Sequence, residues 1–347
     1  MQTKESRRPT PAWARTLFIA AAAGAAPAAM AQSNVQMYGV LDLWMGSSKI
    51  SGESASTKAV NSGGMTTSYW GMAGTEDLGG GMRALFTIEG YVQLDTGAAG
   101  RSSTDTMFSR SAFVGLGGNW GEVKLGRIIN PLFYSTAGAN PFGGSTRFAP
   151  LLAQTWTAPF GRAVFGDTSW DNAVSYTLPA WGATKVTAQY GFGEVAGSPS
   201  TNNLSLNVTY KEGPVYGTFH AQQTKVGPGV TSIGNTVQKT YFLGGSYDAK
   251  LVKLFGSYSN ASADSPGLRS RTAQAGFSVP AGNGEIMASW ARTRNDQNTA
   301  PNHRNTAALG YDYFLSKRTD LYVVSMYDKS SLQATGNSVG AGIRHRF

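Results

Sequence analysis

Asn203-Leu-Ser-Leu-Asn-Val-Thr-Tyr210 is the stretch whose reading decides the fold. Leu204, Leu206, Val208 and Tyr210 fall on one side of an extended chain, and Asn203, Ser205, Asn207 and Thr209 on the other. This is the two-residue period of a β-strand, with no 3.6-residue helical period beneath it. The preceding segment repeats it, setting Thr184, Val186, Ala188, Tyr190 and Phe192 against Lys185, Thr187, Gln189 and Gly191. Further back, Met82, Ala84, Phe86, Ile88, Val92 and Leu94 oppose Arg83, Thr87, Glu89, Gln93 and Asp95.

Working outward, the same pattern predicts about sixteen strands: 35–46, 65–75, 82–95, 106–117, 121–128, 167–178, 182–192, 202–211, 215–225, 237–247, 250–260, 270–279, 284–294, 304–314, 319–329 and 336–347. Connections tend to alternate between short turns, such as Gly79-Gly80-Gly81 and Gly282-Asn283-Gly284, and long polar stretches, of which 129–166 is the longest. No shift in composition marks a domain boundary, so residues 32–347 read as one sheet.

The two faces give the class. One carries Ser, Thr, Asn, Gln and Gly rather than the dense charge of a soluble surface. The other is apolar and ends in aromatics such as Trp70, Tyr190, Tyr210, Tyr241, Tyr258 and Tyr311. Polar inside, apolar outside and aromatic at the rims is the pattern of an all-β, antiparallel transmembrane barrel, closed because an open edge strands backbone groups in hydrocarbon. Sixteen strands leave a water-filled channel. Composition agrees: only 14% of the 347 residues are charged, against roughly 25% in a soluble domain, and mean hydropathy is −0.22.

With no Cys, the chain has no disulfide scaffold, thiolate zinc site or cysteine nucleophile. Three histidines make metal or histidine chemistry a poor expectation, and no spacing sets an acid beside His220 or His303. An enzyme, a metal and a cofactor are therefore not expected. A pI near 9.6 does not point to nucleic acid, because the charges are dispersed and the chain is exported. Lys4, Arg7, Arg8 and Arg15 precede the apolar run Leu17–Ala26 and the small-x-small site Ala29-Met30-Ala31. Residues 1–31 read as a secretory signal peptide cleaved near Ala31-Gln32. Its removal leaves 25 Lys plus Arg against 19 Asp plus Glu.

Several motifs together resemble the trimeric general porins of Gram-negative outer membranes, closest to the β-proteobacterial type. Val35-Gln-Met-Tyr-Gly-Val-Leu-Asp42 resembles their first strand, and Trp70-Gly-Met-Ala-Gly-Thr-Glu-Asp-Leu-Gly-Gly-Gly81 their second strand and first periplasmic turn. Arg110-Ser-Ala-Phe-Val-Gly-Leu116 and Gly121-Glu-Val-Lys-Leu-Gly-Arg127 resemble strands four and five, and Gly342-Ile-Arg-His-Arg-Phe347 the last strand. The resemblance implies passive diffusion of small hydrophilic solutes, a homotrimer in outer-membrane lipid and lipopolysaccharide, and a long third loop, here 129–166, folded into the lumen as a constriction. It also implies that the terminal Phe347 is the signal for the barrel-assembly machinery.

The family faces loop acids with wall arginines. From Val123 to Gly166 this chain has no acid; its cations there are Lys124, Arg127, Arg147 and Arg162, and the loop motif reads Pro141-Phe-Gly-Gly144 without the family's Glu. An anion preference is expected. Arg110 matches a wall arginine, although parity alone does not settle its face. Arg147 and Arg162 either replace a thinned basic ladder or are solvated loop residues; Tyr69 and Ala73 stand at wall positions often basic in the family. Lys124, Tyr38, Asp42 and Glu89 have lumenal parity, the two acids either opposing the arginines or pairing with them. Arg127 shares parity with Val123 and Leu125 and reads as an intersubunit latch, with Asp95 or Asp105 as partner. Phe142, Phe148, Trp156, Phe160 and Phe165 either pack the loop or form an aromatic slide, which keeps a substrate-selective porin as the alternative. N-terminal sequencing of protein extracted from the outer membrane is expected to begin at Gln32; an intact Met1 overturns the signal-peptide reading.

Overall fold

The computed structural model describes residues 34–193, 202–225, 237–263, 269–296 and 302–347; the expected signal peptide and its cleavage site lie outside them. The chain opens with β1 (Asn34–Ser48), β2 (Thr57–Ser62), β3 (Tyr69–Gly79), β4 (Met82–Tyr91), β5 (Ser111–Gly118) and β6 (Gly121–Ile129). Two short helices follow, α1 (Pro131–Gly138) and α2 (Pro150–Trp156). Next come β7 (Ser169–Thr177), β8 (Thr184–Gly191), β9 (Asn203–Glu212), β10 (Val215–Thr224), β11 (Gln238–Asp248) and β12 (Lys253–Ala263). The sheet ends with β13 (Arg269–Ala281), β14 (Gly284–Asp296), β15 (Asn302–Phe314), β16 (Thr319–Ser330) and β17 (Gly336–Arg346).

These seventeen segments occupy sixteen positions around a closed antiparallel barrel. The second expected strand, 65–75, appears as β3 at 69–79, and β2 is an additional strand within the stretch expected as a connection: β3 pairs with the first half of β1 and β2 with its second half. Closure comes from β1 and β17, paired from Val40↔Arg346 to Ser47↔Val339.

Directly opposed residues of an antiparallel pair share a face, so the register lets one row be followed around the sheet. Phe86, Val114, Leu125, Val174, Tyr190 and Leu204 form an outer row. Asn207, His220, Phe242, Ser259, Thr272, Thr293 and Arg304 form a row on the opposite face. In the octapeptide that opened the analysis, Leu204 is 54% exposed and Asn207 only 7%. That inverts a soluble sheet and suits lipid outside.

The inner face is not uniformly polar. Trp44, Phe242, Met287, Val324 and Met326 face inward and are buried with Leu132, Phe142, Phe148, Leu151, Leu152 and Phe160 of the long connection. Those strands carry apolar residues on both faces because lipid covers one and the loop covers the other.

Polar anchors hold the long connection to that same face. Asn130 caps α1, accepting from the Leu132 amide (3.0 Å) and donating to Gln222 (2.9 Å). Gln154 of α2 donates to Thr306 (2.8 Å) and accepts from Thr293 (2.6 Å). Arg304, ion-paired with Asp328, donates to the Pro159 carbonyl (2.9 Å). Ser145 donates to the Gly64 carbonyl (2.7 Å).

That last contact leads to Asp42. It is 0% exposed and accepts from the amides of Gly64, Met65 and Thr66 at 2.8–2.9 Å and from the Tyr322 hydroxyl. Asp42 therefore has the expected inward parity but is structural, holding the break between β2 and β3. Asp42→Ala leaves three amides and a hydroxyl without an acceptor and is expected to cost on the order of 3 kcal/mol, whereas Tyr322→Phe costs about 1 kcal/mol. The urea midpoint of the protein refolded in vesicles checks this; an unchanged midpoint for Asp42→Ala refutes the role.

Candidate functional site

A cavity of about 1450 Å³ lies between the long connection and the β3–β5 wall. The connection contributes Phe133, Tyr134, Thr146, Arg147, Trp156 and Arg162; the wall contributes Tyr69, Tyr91 and Arg110; segment 92–110 adds Asp95, Arg101 and Asp105. The site is built by register. Tyr38, Gly71, Glu89 and Ser111 form one inward row, and glycine at 71 is required, since a Cβ there would meet Glu89 Cγ at 2.7 Å.

Four of the expected residues meet in this row. Arg110, next to Ser111, pairs with Glu89, and its guanidinium lies 3.8 Å from the Tyr69 ring centre. Tyr38 donates to Glu89 at 2.7 Å. Glu89 thus neutralises Arg110 instead of forming an opposing acidic side.

Arg147 and Arg162 differ from Arg110. Arg147 lies 5.4 Å from the Trp44 ring and donates to the Ser48 hydroxyl. Arg162, at φ 30°, donates to the Gly166 carbonyl. Neither has a carboxylate within ion-pairing distance among the described residues, and the Nε of each is buried without a partner. Burial pushes both guanidinium pKa values down, yet an arginine remains charged at neutral pH.

Two expectations are corrected. Lys124 has inward parity but pairs with Glu122 (2.9 Å) near the Gly118–Gly121 turn and does not border the cavity. Parity fixes a face, not a height. Arg127 finds partners within its own chain: Asp167 and Asp171, both at 2.6 Å, and the Ser109 carbonyl. It lies opposite Ala112 in the β5 register, at an irregularity in the β6–β7 pairing between Gly126 and Ile128. Gly126 takes φ +138°, and a Cβ there would strike the Ala112 carbonyl at 2.2 Å. The expected latch acid Asp105 pairs instead with Arg101 (2.7 Å).

Arg101 and Asp167 were missed by sequence reasoning. Arg101 joins Asp105 to Asp167 (2.8 Å) and lies 4.9 Å from the Tyr91 ring centre. The available signal was that Asp167 is the first acid after the acid-free run. The loop aromatics are also resolved: Phe142, Phe148, Trp156 and Phe160 are buried as packing. The more exposed aromatics are Tyr134, 55% exposed, and half-buried Phe133, with ring centres 6.1 Å apart; Phe133 in turn packs on the buried Trp156 at 6.2 Å. His220 is buried and contacts Gln222 (3.1 Å), with no acid bonded to it among the described residues.

Burial pushes the Asp167 carboxyl up, but hydrogen bonds from Arg101 and the charges of Arg101 and Arg127 outweigh it and hold it at about 2. A depressed carboxylate stabilises fully above its unfolded value near 3.9 and loses that contribution as pH falls to its folded value. The Asp167 contribution, about 2 kcal/mol, is therefore expected to be complete at pH 5 and lost progressively as pH falls through 2 toward about 1. The stability difference between the wild type and Asp167→Asn, measured across that range, checks it; a difference independent of pH refutes it.

The family described as Gram-negative porin matches residues 18–333. An outer membrane porin protein of Delftia acidovorans is 30% identical over 96% of this chain and 99% of its own length. An outer membrane porin protein of Bordetella pertussis is 27% identical over 96% of this chain and all of its own. Among solved structures, the anion-selective porin from Comamonas acidovorans superposes with a TM-score of 0.77 at 27% identity, covering 91% of this chain and 100% of that one. The Vibrio cholerae outer membrane protein OmpT, solved in a trimer form, superposes at 0.67 with 17% identity, covering 91% of this chain and 99% of that one.

Proposed function

The chain belongs to the Gram-negative porin family, and on that premise we propose that this outer-membrane channel passes small hydrophilic solutes by diffusion and favours anions through Arg147 and Arg162. The carrying observation is that these two cavity-lining cations have no carboxylate partner among the described residues, while the acids expected to oppose them are occupied, Glu89 by Arg110 and Asp42 by backbone amides. In a narrow aqueous passage a solute travels within one Debye length, ~8 Å at physiological salt, of such charges. They attract anions, and Tyr69 and Arg110 shape the facing wall. The long connection narrows the lumen and carries this charge. A similar structure is named anion-selective, which supports the same reading.

The working form is a homotrimer. Val35, Phe86, Val114, Leu116 and Leu125 line an apolar outer concavity of about 670 Å³ across β1 and β3–β6, a surface suited to a second copy. Phe347, whose backbone exchanges hydrogen bonds with Gly39 at 3.1 and 3.2 Å, is the assembly signal. A substrate-selective reading draws support from Tyr134 and Phe133 on the cavity, which offer a planar solute an apolar face.

Purified protein in a planar bilayer under a KCl gradient is expected to open in groups of three with an anion-favouring reversal potential. Arg147→Gln with Arg162→Gln is expected to lower the anion-to-cation ratio several-fold, while Glu89→Gln, which strips Arg110 of its counter-charge, is expected to raise it. Cation preference in the wild type refutes the proposal, and saturable block by one solute selects the alternative.

A further inference from the structure

Arg147 and Arg162, the cavity cations without a carboxylate partner among the described residues, share one scaffold with the aromatics Phe133 and Tyr134. Thr157 joins the two cations. Its hydroxyl donates to the carbonyl of Thr146, the neighbour of Arg147 (3.2 Å), and its own carbonyl accepts from the Arg162 amide (3.3 Å). The preceding residue, Trp156, donates its indole N–H to the Thr136 hydroxyl of α1 (3.2 Å), and its ring packs on Phe133 of the same helix. Phe133 packs in turn on Tyr134. Charge and aromatic surface are therefore fixed relative to each other on the side of the connection that borders the cavity.

Packing does not account for the aromatic pair. Phe142, Phe148 and Phe160 are sealed against the inner wall, whereas Tyr134 turns more than half of its surface to the passage and Phe133 part of its own. Tyr134 also lies within electrostatic reach of Arg110, Glu89, Tyr69 and Tyr91, so it stands opposite the inward row of the facing wall. The wall rings are already engaged. Tyr69 carries the Arg110 guanidinium 3.8 Å from its centre, and Tyr91 carries that of Arg101 at 4.9 Å. Among the described residues, Tyr134 and Phe133 are thus the accessible flat surface of the cavity.

The two features recognise different parts of a solute. A guanidinium fork takes a carboxylate through paired hydrogen bonds. An aromatic ring stacks on another ring in an offset or edge-on arrangement, which a saturated ring of similar size cannot do. Chloride gives the rings nothing to hold, and a neutral arene gives the cations nothing. An aromatic ring that bears a carboxylate uses both.

We propose that the passage selects aromatic carboxylates, of which benzoate is the simplest, drawing them with Arg147 and Arg162 and stacking them on Tyr134 and Phe133 as they cross. The inference rests on the anion-favouring channel proposed above and adds the solute class. A conducting site must hold its solute weakly enough to release it, so binding is read as reversible, concentration-dependent block of chloride current.

Sodium benzoate and sodium cyclohexanecarboxylate, equal in charge at neutral pH and close in size, are compared as blockers of the protein in a planar bilayer. The half-blocking concentration is expected to be roughly fivefold lower for benzoate, the flat ring being the difference. Tyr134→Leu keeps an apolar side chain and loses the flat face; it is expected to bring the two acids level, with each variant read against its own chloride current. Tyr134→Phe is expected to keep the wild-type ratio, and Arg147→Gln with Arg162→Gln to weaken block by both acids together. Equal block by the two acids, which requires no variant, overturns the inference, as does a benzoate preference that survives Tyr134→Leu. Block by neutral benzyl alcohol as strong as that by benzoate overturns the carboxylate assignment. The two readings fail separately: equal block under an anion-favouring reversal potential removes the aromatic class alone, whereas a cation-favouring potential removes both.

Discussion

A backbone crossing hydrocarbon has no water to satisfy its amides and carbonyls, so every strand must find two neighbours. The β1–β17 seam, continued by the pairing of Phe347 with Gly39, supplies the last of these and removes the edge. Once the sheet is closed, alternation along each strand leaves no choice of face: Leu204 and Leu206 meet lipid because Ser205 and Asn207 do not. Closure also creates a problem. A sixteen-stranded barrel is too wide for side chains to fill, so its interior needs a further element if it is to discriminate between solutes.

That element is the long connection, and its requirements explain the two characters of the inner wall. Where α1, α2 and the turns beside them lie, the wall is apolar, with Trp44, Phe242, Met287 and Val324 packed against Phe142, Phe148 and Leu152. Apolar packing alone is non-directional. Position is set by hydrogen bonds in a dry interface, where a lost partner is costly: Asn130 to Gln222, Gln154 to Thr293 and Thr306, and Arg304 to the Pro159 carbonyl. The contact of Ser145 with Gly64, on the turn that Asp42 holds, ties the connection to the first strand as well.

The strands were legible because lipid imposes a strict period. β9, β10 and β14–β16 fall within about two residues of their expected limits. The exceptions share a cause. β2 and β3 are separated by a turn held by Asp42, whose partner Tyr322 is 280 residues away, and no local pattern encodes such a contact. Arg127 keeps the face that parity gave it, opposite Ala112, but its partners Asp167 and Asp171 are 40 and 44 residues away, beyond any local pattern. Asp42 and Lys124 were given the correct face, but a face does not reveal whether a carboxylate is sealed under a turn or an ammonium lies next to one. Pairing was the least legible feature, since it requires the register of several strands at once.

Pairing is also what gives the cavity its electrical character. A simple count of the residues around it is nearly balanced, with Arg101, Arg110, Arg127, Arg147 and Arg162 against Asp95, Asp105, Asp167 and Asp171. An ion pair acts at a distance as a dipole, however, and its field decays faster than that of a lone charge. Arg110 with Glu89, Arg101 with Asp105, and Arg127 with Asp167 therefore contribute little beyond their immediate surroundings. Among the described residues Arg147 and Arg162 are the cavity cations left without a carboxylate and both lie on the connection, while the acid charge left over, on Asp95 and Asp171, lies off it, so the positive side of the passage is the connection. Pore width and pore charge are thus carried by one structural element. On the proposed reading, the same hydrogen bonds that fix the gap between loop and wall also fix where a passing anion is attracted, so a displacement of that element changes both properties together.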